Sequence, residues 1–88
     1  MDLDYYWIKD TIKETYRLYY NLFYVDTLIA ELSYDYNSNY WICNININNN
    51  KTLINYKNDD VQNIKNKIEI IVINEINSVN EYFSKENK

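Results

Sequence analysis

Very few side chains in this sequence could take part in covalent chemistry. The chain has no histidine, which excludes Ser-His, Cys-His and histidine-metal arrangements and removes the commonest general base near neutral pH. It also has no glycine, so a glycine-rich loop that cradles the phosphates of a nucleotide cannot form. These absences exclude most familiar hydrolases, kinases and NTPases. We therefore expect no enzymatic activity and no cofactor.

The remaining candidates for chemistry are one thiol and two pairs of carboxylates. Cys43 lies on the predicted core face of a strand, where a thiol packs as a small apolar group. Asp59 and Asp60 precede a predicted helix, where carboxylates cap the helix more often than they bind a metal. Glu31 and Asp35 share one strand face like a glycosidase pair, but no cleft can be argued beside them. We expect no catalytic or metal site here.

The elements that position these residues belong to one small domain. The 88 residues are 47% hydrophobic and include 11 tyrosines, which is too apolar for a disordered chain. The single cysteine excludes an internal disulfide. We find neither a signal-peptide pattern nor a run of about 18 apolar residues, so we expect a cytoplasmic protein with no membrane contact. The net charge of −4 opposes direct binding of nucleic acid.

The hydrophobic periodicity predicts an α+β fold ordered helix, three antiparallel strands, helix (αβββα), within a single domain 1–88. A stripe at three- and four-residue steps, which includes Ile8 and Tyr19, predicts a helix over about 4–24. A period of two predicts strands over about 27–36, 39–48 and 51–57, with Leu28 on the core side of the first. Asp59, with Gln62 three residues later, predicts the start of a helix over about 60–84. Residues 68–73 are β-branched except for Glu69, and a fourth strand there remains the alternative.

The three strands form two hairpins in this prediction, with asparagine taking the positive-φ positions that glycine would fill. Turns at Asn37-Ser38 and Asn49-Asn50 give cross-strand pairs that are apolar on one face. The predicted pairs are Tyr34 with Trp41, Leu32 with Cys43, Ala30 with Ile45, Ile45 with Ile54, and Cys43 with Tyr56. Both helices are expected on that apolar face. The other face is mixed and free to meet solvent or a partner.

Eight residues form the predicted partner-binding set, in three groups. Tyr6, Lys13, Arg17 and Tyr20 share the exposed side of the first predicted helix, and Tyr and Arg are enriched at interface hot spots. Glu31, Asp35 and Tyr40 lie on the mixed face of the first hairpin, in a stretch from Leu18 to Asn50 that has no lysine or arginine. Ile70 lies off the core stripe of the second helix, as does Ile73, for which we expect intramolecular cover.

Two resemblances follow from this element order, from the acidity and from the missing catalytic residues. The order αβββα resembles the double-stranded RNA-binding domain, whose second helix begins with a basic cluster. Here the matching positions are Asn58, Asp59, Asp60, Val61 and Gln62, which are not basic. In size, acidity and Asn-rich hairpins the chain also resembles small phage anti-CRISPR proteins, and this resemblance implies a protein that blocks a nucleic-acid-binding groove.

Our leading hypothesis is therefore a non-enzymatic inhibitor from a phage or mobile element that binds a host defence effector. The expected partner is a host protein or ribonucleoprotein, such as a CRISPR nuclease complex, in the host cytosol. The alternative is a homodimeric structural or regulatory module that buries Ile70 and Tyr6. A domain that binds double-stranded RNA is the less favoured third hypothesis.

Overall fold

The computed structural model describes residues 4–22, 25–47, 49–57 and 60–86, except the side chains of Leu22 and of residues 79–86. These residues form five strands and then one helix. The strands are β1 (Tyr5–Lys9), β2 (Thr15–Leu22), β3 (Val25–Asp35), β4 (Tyr40–Ile47) and β5 (Asn50–Lys57), and the helix is α1 (Val61–Glu86). The strands make one antiparallel sheet in sequence order. The chain divides into two compact units, Met1–Asn58 and Asp59–Lys88.

The predicted αβββα order is wrong at its first element, because residues 4–24 form no helix in the part that the structure describes. They contribute β1 and β2 instead, so the expectation of two helices on one sheet face is wrong as well. Aromatic and β-branched residues dominate this segment, and these types pack well on a pleated surface. In addition, the Asp10 carboxylate accepts hydrogen bonds from the amides of Ile12 and Lys13, which favours a turn over a helix.

The later elements agree with the sequence-based prediction to within two residues at each end. Strands β3, β4 and β5 correspond to the predicted strands 27–36, 39–48 and 51–57, and α1 corresponds to the predicted helix 60–84. Residues 68–73 lie inside α1, so the alternative of a fourth strand there is wrong. The single-domain organisation stays a prediction.

The pairing of β3 with β4 is as predicted, and the pairing of β4 with β5 is not. Ala30 faces Ile45, Leu32 faces Cys43, and Tyr34 faces Trp41. In the next hairpin Ile47 pairs with Asn50, so the connection comes one residue earlier than expected. As a result, Ile45 faces Thr52 and Cys43 faces Ile54. A shift of two residues leaves each side chain on its predicted face.

Within the described part of the chain, asparagine takes the left-handed conformation at two places, as the lack of glycine led us to expect. Asn49 has φ 69° in the connection between β4 and β5. In the turn after β3 the positive φ of 60° falls on Asn39, not on Asn37 or Ser38. The Asn39 amide donates to the Asp35 carbonyl at 2.9 Å, which closes that turn. Asn thus replaces Gly where the chain needs it.

One side of the sheet is apolar and buried, and we call it the buried face. Its fully or nearly fully buried side chains come from β2, β3 and β4. They are Leu18, Tyr20, Ile29, Ala30, Leu32, Trp41, Cys43, Ile45 and Ile47. The adjacent residues Ile29 and Ala30 are both buried because a β-bulge interrupts the alternation at this point. Leu18 pairs with Ala30, whereas the next residue, Tyr19, pairs with Leu28.

In the second unit, α1 buries one stripe of side chains spaced by four residues. The stripe consists of Ile64, Ile68, Val72 and Ile76. The Ile64 amide donates to the Asp60 carbonyl at 3.2 Å, which is the first hydrogen bond of the helix. The predicted cap Asp59 lies outside the described residues, and Gln62 donates its side-chain amide to Asn66. No helix in the described part of the chain is both long and apolar enough to cross a membrane.

Candidate interaction face

The side of the sheet opposite the buried face carries most of the predicted partner-binding residues. We call this side the outer face. Antiparallel partners point to the same side of a sheet, so the pairing assigns each residue to a face. The outer-face residues are Tyr6 and Ile8 of β1, Thr15, Arg17, Tyr19 and Asn21 of β2, Asp26, Leu28, Glu31, Ser33 and Asp35 of β3, Tyr40, Ile42, Asn44 and Asn46 of β4, and Lys51, Leu53, Asn55 and Lys57 of β5.

A cluster of aromatic and aliphatic side chains lies on the outer face of β1, β2 and β3. The rings of Tyr6 and Tyr19 stack at 5.4 Å between centroids with an angle of 14° between their planes. Leu28 pairs with Tyr19, and Ile8 lies two residues along β1 from Tyr6. Tyr6, Ile8 and Leu28 are all exposed, and Tyr19 is half-buried. We call these four residues the tyrosine cluster.

The hydroxyl of Tyr6 fixes one edge of the tyrosine cluster. It donates a hydrogen bond to Oδ2 of Asp26 at 3.0 Å. Partial burial raises the pKa of the Tyr6 hydroxyl, and the hydrogen bond to Asp26 raises the pKa further. The hydroxyl therefore stays protonated, and the ring position of Tyr6 is set by both a stacking contact and a polar contact.

Arg17 lies next to the tyrosine cluster and is held by two carboxylates. Its Nε donates to Oε2 of Glu31 at 3.0 Å, and its Nη1 donates to Oδ2 of Asp10 at 3.3 Å. Cross-strand pairing places Ile8, Arg17 and Glu31 in one row across three strands. The hydrogen bonds to Glu31 and Asp10 raise the pKa of the guanidinium. The side chain is therefore held in one orientation while part of it stays exposed.

Asp10 connects this ion pair to the loop between β1 and β2. Its Oδ1 accepts the amides of Ile12 at 2.8 Å and of Lys13 at 3.0 Å. These two backbone hydrogen bonds, with the side-chain bond from Arg17, lower the pKa of Asp10 to about 2. The same carboxylate thus shapes the loop and orients Arg17.

Five of the eight predicted partner-binding residues share the outer face, although the sequence assigned two of them to a helix and three to a hairpin. These five are Tyr6, Arg17, Glu31, Asp35 and Tyr40. Lys13 is exposed in the loop between β1 and β2. Ile70 belongs to the other unit, where it is 61% exposed on α1. The predicted helical patch of Tyr6, Lys13, Arg17 and Tyr20 is wrong, because no helix forms there.

Tyr20 was predicted to be an exposed partner-binding residue, but in the structure it is buried. It lies on the buried face with 0% exposure and stacks on Tyr5 at 5.1 Å. Strand alternation sends neighbouring side chains to opposite sides, so Tyr19 faces outward and Tyr20 inward. Ile73 was predicted to be covered by the rest of the chain, but in the structure it is exposed.

The carboxylates of the first predicted hairpin do not form a separate acidic patch. Glu31 is paired with Arg17. Asp35 accepts hydrogen bonds from the Asn37 amide at 3.1 Å and the Ser38 hydroxyl at 2.8 Å, so its carboxylate organises the turn after β3. Lys57 faces Tyr40 across the β4–β5 pairing, which places a positive charge on the same side of the sheet. The outer face is therefore mixed in charge.

Three members of the tyrosine cluster were missed from the sequence. Ile8 and Tyr19 were assigned to the core stripe of a helix, and Leu28 to the core side of a strand. The aromatic-rich run at 5–9 is the strand signal that would have placed Ile8. Residues 16–20 include three tyrosines, and this aromatic composition is the strand signal for Tyr19. No sequence signal marks the bulge at Ile29 that turns Leu28 outward.

The described residues offer little that could perform covalent chemistry. Burial raises the pKa of the Cys43 thiol to about 12, so this thiol is not a nucleophile near neutral pH. Among the residues that the structure describes, no group of three or more histidine, cysteine or acidic residues is placed to hold a metal ion. A shallow depression of about 370 Å³ beside β4 and β5 is lined by Asn44, Asn46, Lys51 and Leu53, among others. Compared with this thiol and this depression, the tyrosine cluster with Arg17 offers more exposed side chains for a contact.

Comparison of the chain with protein-family models, with curated proteins and with solved structures gives no match.

Proposed function

We propose that this protein acts by binding another protein through the outer face of its sheet, without catalysing a reaction. The observation that carries the proposal is the tyrosine cluster beside a fixed arginine. Tyr6 and Ile8 of β1 and Leu28 of β3 expose apolar surface on either side of the half-buried Tyr19 of β2. Tyrosine and arginine are the residue types enriched at interface hot spots.

The geometry supports a preorganised contact surface. Stacking fixes the ring of Tyr6 against that of Tyr19, and two carboxylates fix Arg17. Side chains that are already ordered lose less conformational entropy on binding, so more of the contact energy appears as affinity. Paired strands carry Tyr6, Tyr19 and Arg17, and a sheet positions side chains more tightly than a loop does.

The more specific hypothesis is an inhibitor of a host defence effector, such as a CRISPR nuclease complex, encoded by a phage or mobile element and acting in the host cytosol. It stays a proposal that rests on size, acidity and the Asn-rich turns. The mixed charge of the outer face favours apolar and hydrogen-bonded contact over mimicry of a nucleic acid. The RNA-binding hypothesis loses the αβββα order on which it depended.

The test is a pair of arginine substitutions on opposite sides of the sheet. Ile8→Arg places a charge inside the tyrosine cluster, at a side chain that is 47% exposed. Val25→Arg places the same charge on the other side of the sheet, at a side chain that is 62% exposed. Both positions tolerate arginine sterically, so both variants should fold, and circular dichroism verifies this.

Candidate partners are first captured from cells of the native host, and the complex is then reconstituted from purified components for calorimetry. We expect Ile8→Arg to weaken binding at least tenfold, or about 1.4 kcal/mol, and Val25→Arg to leave the affinity unchanged. Equal affinity for both variants and the unmodified protein would show that the partner contacts a different surface. A salt-sensitive complex with duplex RNA as the sole ligand would contradict the proposal.

A further inference from the structure

The last strand of the sheet is an open edge with features that suit pairing with another strand. β5 runs over eight residues, and all eight pair with β4 without a bulge. Among the strands that the structure describes, β4 is its only neighbour in the sheet. Among the described residues, no backbone hydrogen bond outside the sheet ladder and no side-chain hydrogen bond involves β5. Alternate N–H and C=O groups of β5 therefore point away from β4 and are available.

Leu53 marks the middle of this edge. Its side chain lies on the outer face and is 64% exposed. No proline interrupts β5, and its two charged residues, Lys51 and Lys57, lie near its two ends. Lysines on an edge strand limit nonspecific pairing, but they also select among registers, since like charges placed directly opposite each other are unfavourable.

We infer that the chain forms a two-fold homodimer in which β5 pairs antiparallel with β5 of a second copy, with Leu53 opposite its symmetry mate. A two-fold axis perpendicular to the sheet places residues of the same face opposite one another. Two registers pair seven residues of each strand. The one centred on Ile54 sets Lys51 opposite Lys57 twice, which repels.

The register centred on Leu53 avoids this repulsion. On the outer face Lys51 lies opposite Asn55 of the second copy, and the two exposed Leu53 side chains meet. On the other face Thr52 lies opposite Ile54, a pair of β-branched residues that packs well across strands. Repulsion between Lys51 and Lys57 therefore favours the register centred on Leu53, in which the most exposed apolar side chain of β5 is covered.

This dimer extends the sheet from five to ten strands and continues the outer face from one copy to the other. The row of paired residues Ile8, Arg17, Glu31, Asn44 and Leu53 runs into the same row of the second copy in reverse order. The two tyrosine clusters then lie at the two far sides of one surface. A partner with two equivalent sites would be bound with increased avidity.

The experiment compares two lysine substitutions at equally exposed aliphatic residues, with sedimentation velocity as the measurement. We expect the unmodified protein to sediment at twice the mass of one chain at high concentration. Leu53→Lys places two ammonium groups opposite each other, and we expect loss of the dimer. Ile70→Lys changes a residue of α1 that is 61% exposed, and we expect the dimer to persist.

Cysteine cross-linking tests the register independently. Under mild oxidation Leu53→Cys should give a disulfide-linked dimer, because residues opposite each other in antiparallel strands are within reach of a disulfide. Lys57→Cys should not, because the two copies of this residue would be roughly 26 Å apart. Cys43 is buried and does not compete.

Three outcomes would overturn the inference. The first is a monomer at every concentration, which would assign the β5 edge to an extended segment of a different protein or to no partner. The second is a dimer that Ile70→Lys breaks and Leu53→Lys leaves intact. The third is cross-linking through Lys57→Cys without cross-linking through Leu53→Cys.

Discussion

At the scale of single residues, Asp10 both shapes a loop and orients a side chain of the outer face. One of its oxygens organises the loop between β1 and β2, and the other orients Arg17 on the outer face. In the sequence Asp10 falls within the predicted helix 4–24, but in the structure it determines the local conformation of a loop. Its short side chain reaches the amides two and three residues later, which is the Asx-turn geometry that competes with a helix.

The lowered pKa of Asp10 predicts how stability depends on pH. Its pKa is about 2 in the folded chain and about 4 in an unfolded chain. The carboxylate therefore stabilises the fold above about pH 4, and this stabilisation is lost as the pH falls from about 4 to about 2. Asp10→Asn keeps an oxygen for the loop amides but loses the charge that attracts Arg17, whereas Asp10→Ala loses both.

Urea unfolding of the three proteins at pH 7, 4 and 2.5 checks this prediction. We expect the free energy of unfolding at pH 7 to decrease in the order unmodified protein, Asp10→Asn, Asp10→Ala. The gap between the unmodified protein and Asp10→Asn should narrow below pH 4. A gap that stays constant with pH would mean that the charge of Asp10 does not contribute to stability.

At the scale of elements, the connection between β4 and β5 sets the register of the sheet edge. Asn49 has a positive φ there, and Ile47 pairs with Asn50 on either side of the connection. The sequence predicted an asparagine turn at this point but put it one residue too late. A chain with four asparagines among residues 46–50 offers several candidate turn positions, and only the packing of β4 against its neighbours selects one.

Substitution of Asn49 tests how much this turn contributes. Asn49→Ala should destabilise the protein by about 1 kcal/mol, since a Cβ without a polar side chain is disfavoured in the left-handed region. Asn49→Gly should be neutral or stabilising. Asn46→Ala is the control, since Asn46 is exposed in β4 and is not among the described residues with a positive φ. Equal losses for both alanine variants, measured by urea unfolding, would contradict this role.

At the scale of the whole molecule, we expect the sheet and the helix to fold as one cooperative unit. The length of the chain predicts a single domain, while the structure divides it into two compact units. Cys43 is a suitable probe of the sheet, because its thiol is buried in a strand with hydrogen-bonded neighbours on both sides. Circular dichroism at 222 nm reports mainly on α1, the helix of 26 residues.

We expect the two probes to give coincident urea transitions, as a single cooperative domain requires. The thiol should be protected from labelling reagents below the transition, since burial raises its pKa to about 12. Thiol labelling that begins at a lower urea concentration than the loss of helix signal would contradict the single domain. A single-phase transition at the same midpoint for both probes would support it.

The sequence alone determined the local features of this protein. Alternation of apolar residues placed β3, β4 and β5, helical spacing placed α1, and the lack of glycine assigned the left-handed positions to asparagine. Cys43 was correctly assigned to the core for the same reason, since period-two alternation fixes the face of a residue. These features depend on interactions within a few residues or between adjacent strands.

Only the tertiary structure decided the first third of the chain and the composition of the outer face. The run from Tyr5 to Leu22 fits a helical stripe about as well as it fits two strands, and pairing of Tyr19 and Leu18 with β3 resolves the ambiguity. The bulge at Ile29 then turns Leu28 outward. Pairing between strands depends on residues distant in sequence, so it cannot be read from local periodicity. For this reason Tyr6 and Arg17, predicted on a helix, proved to share one sheet face with Glu31, predicted on a strand.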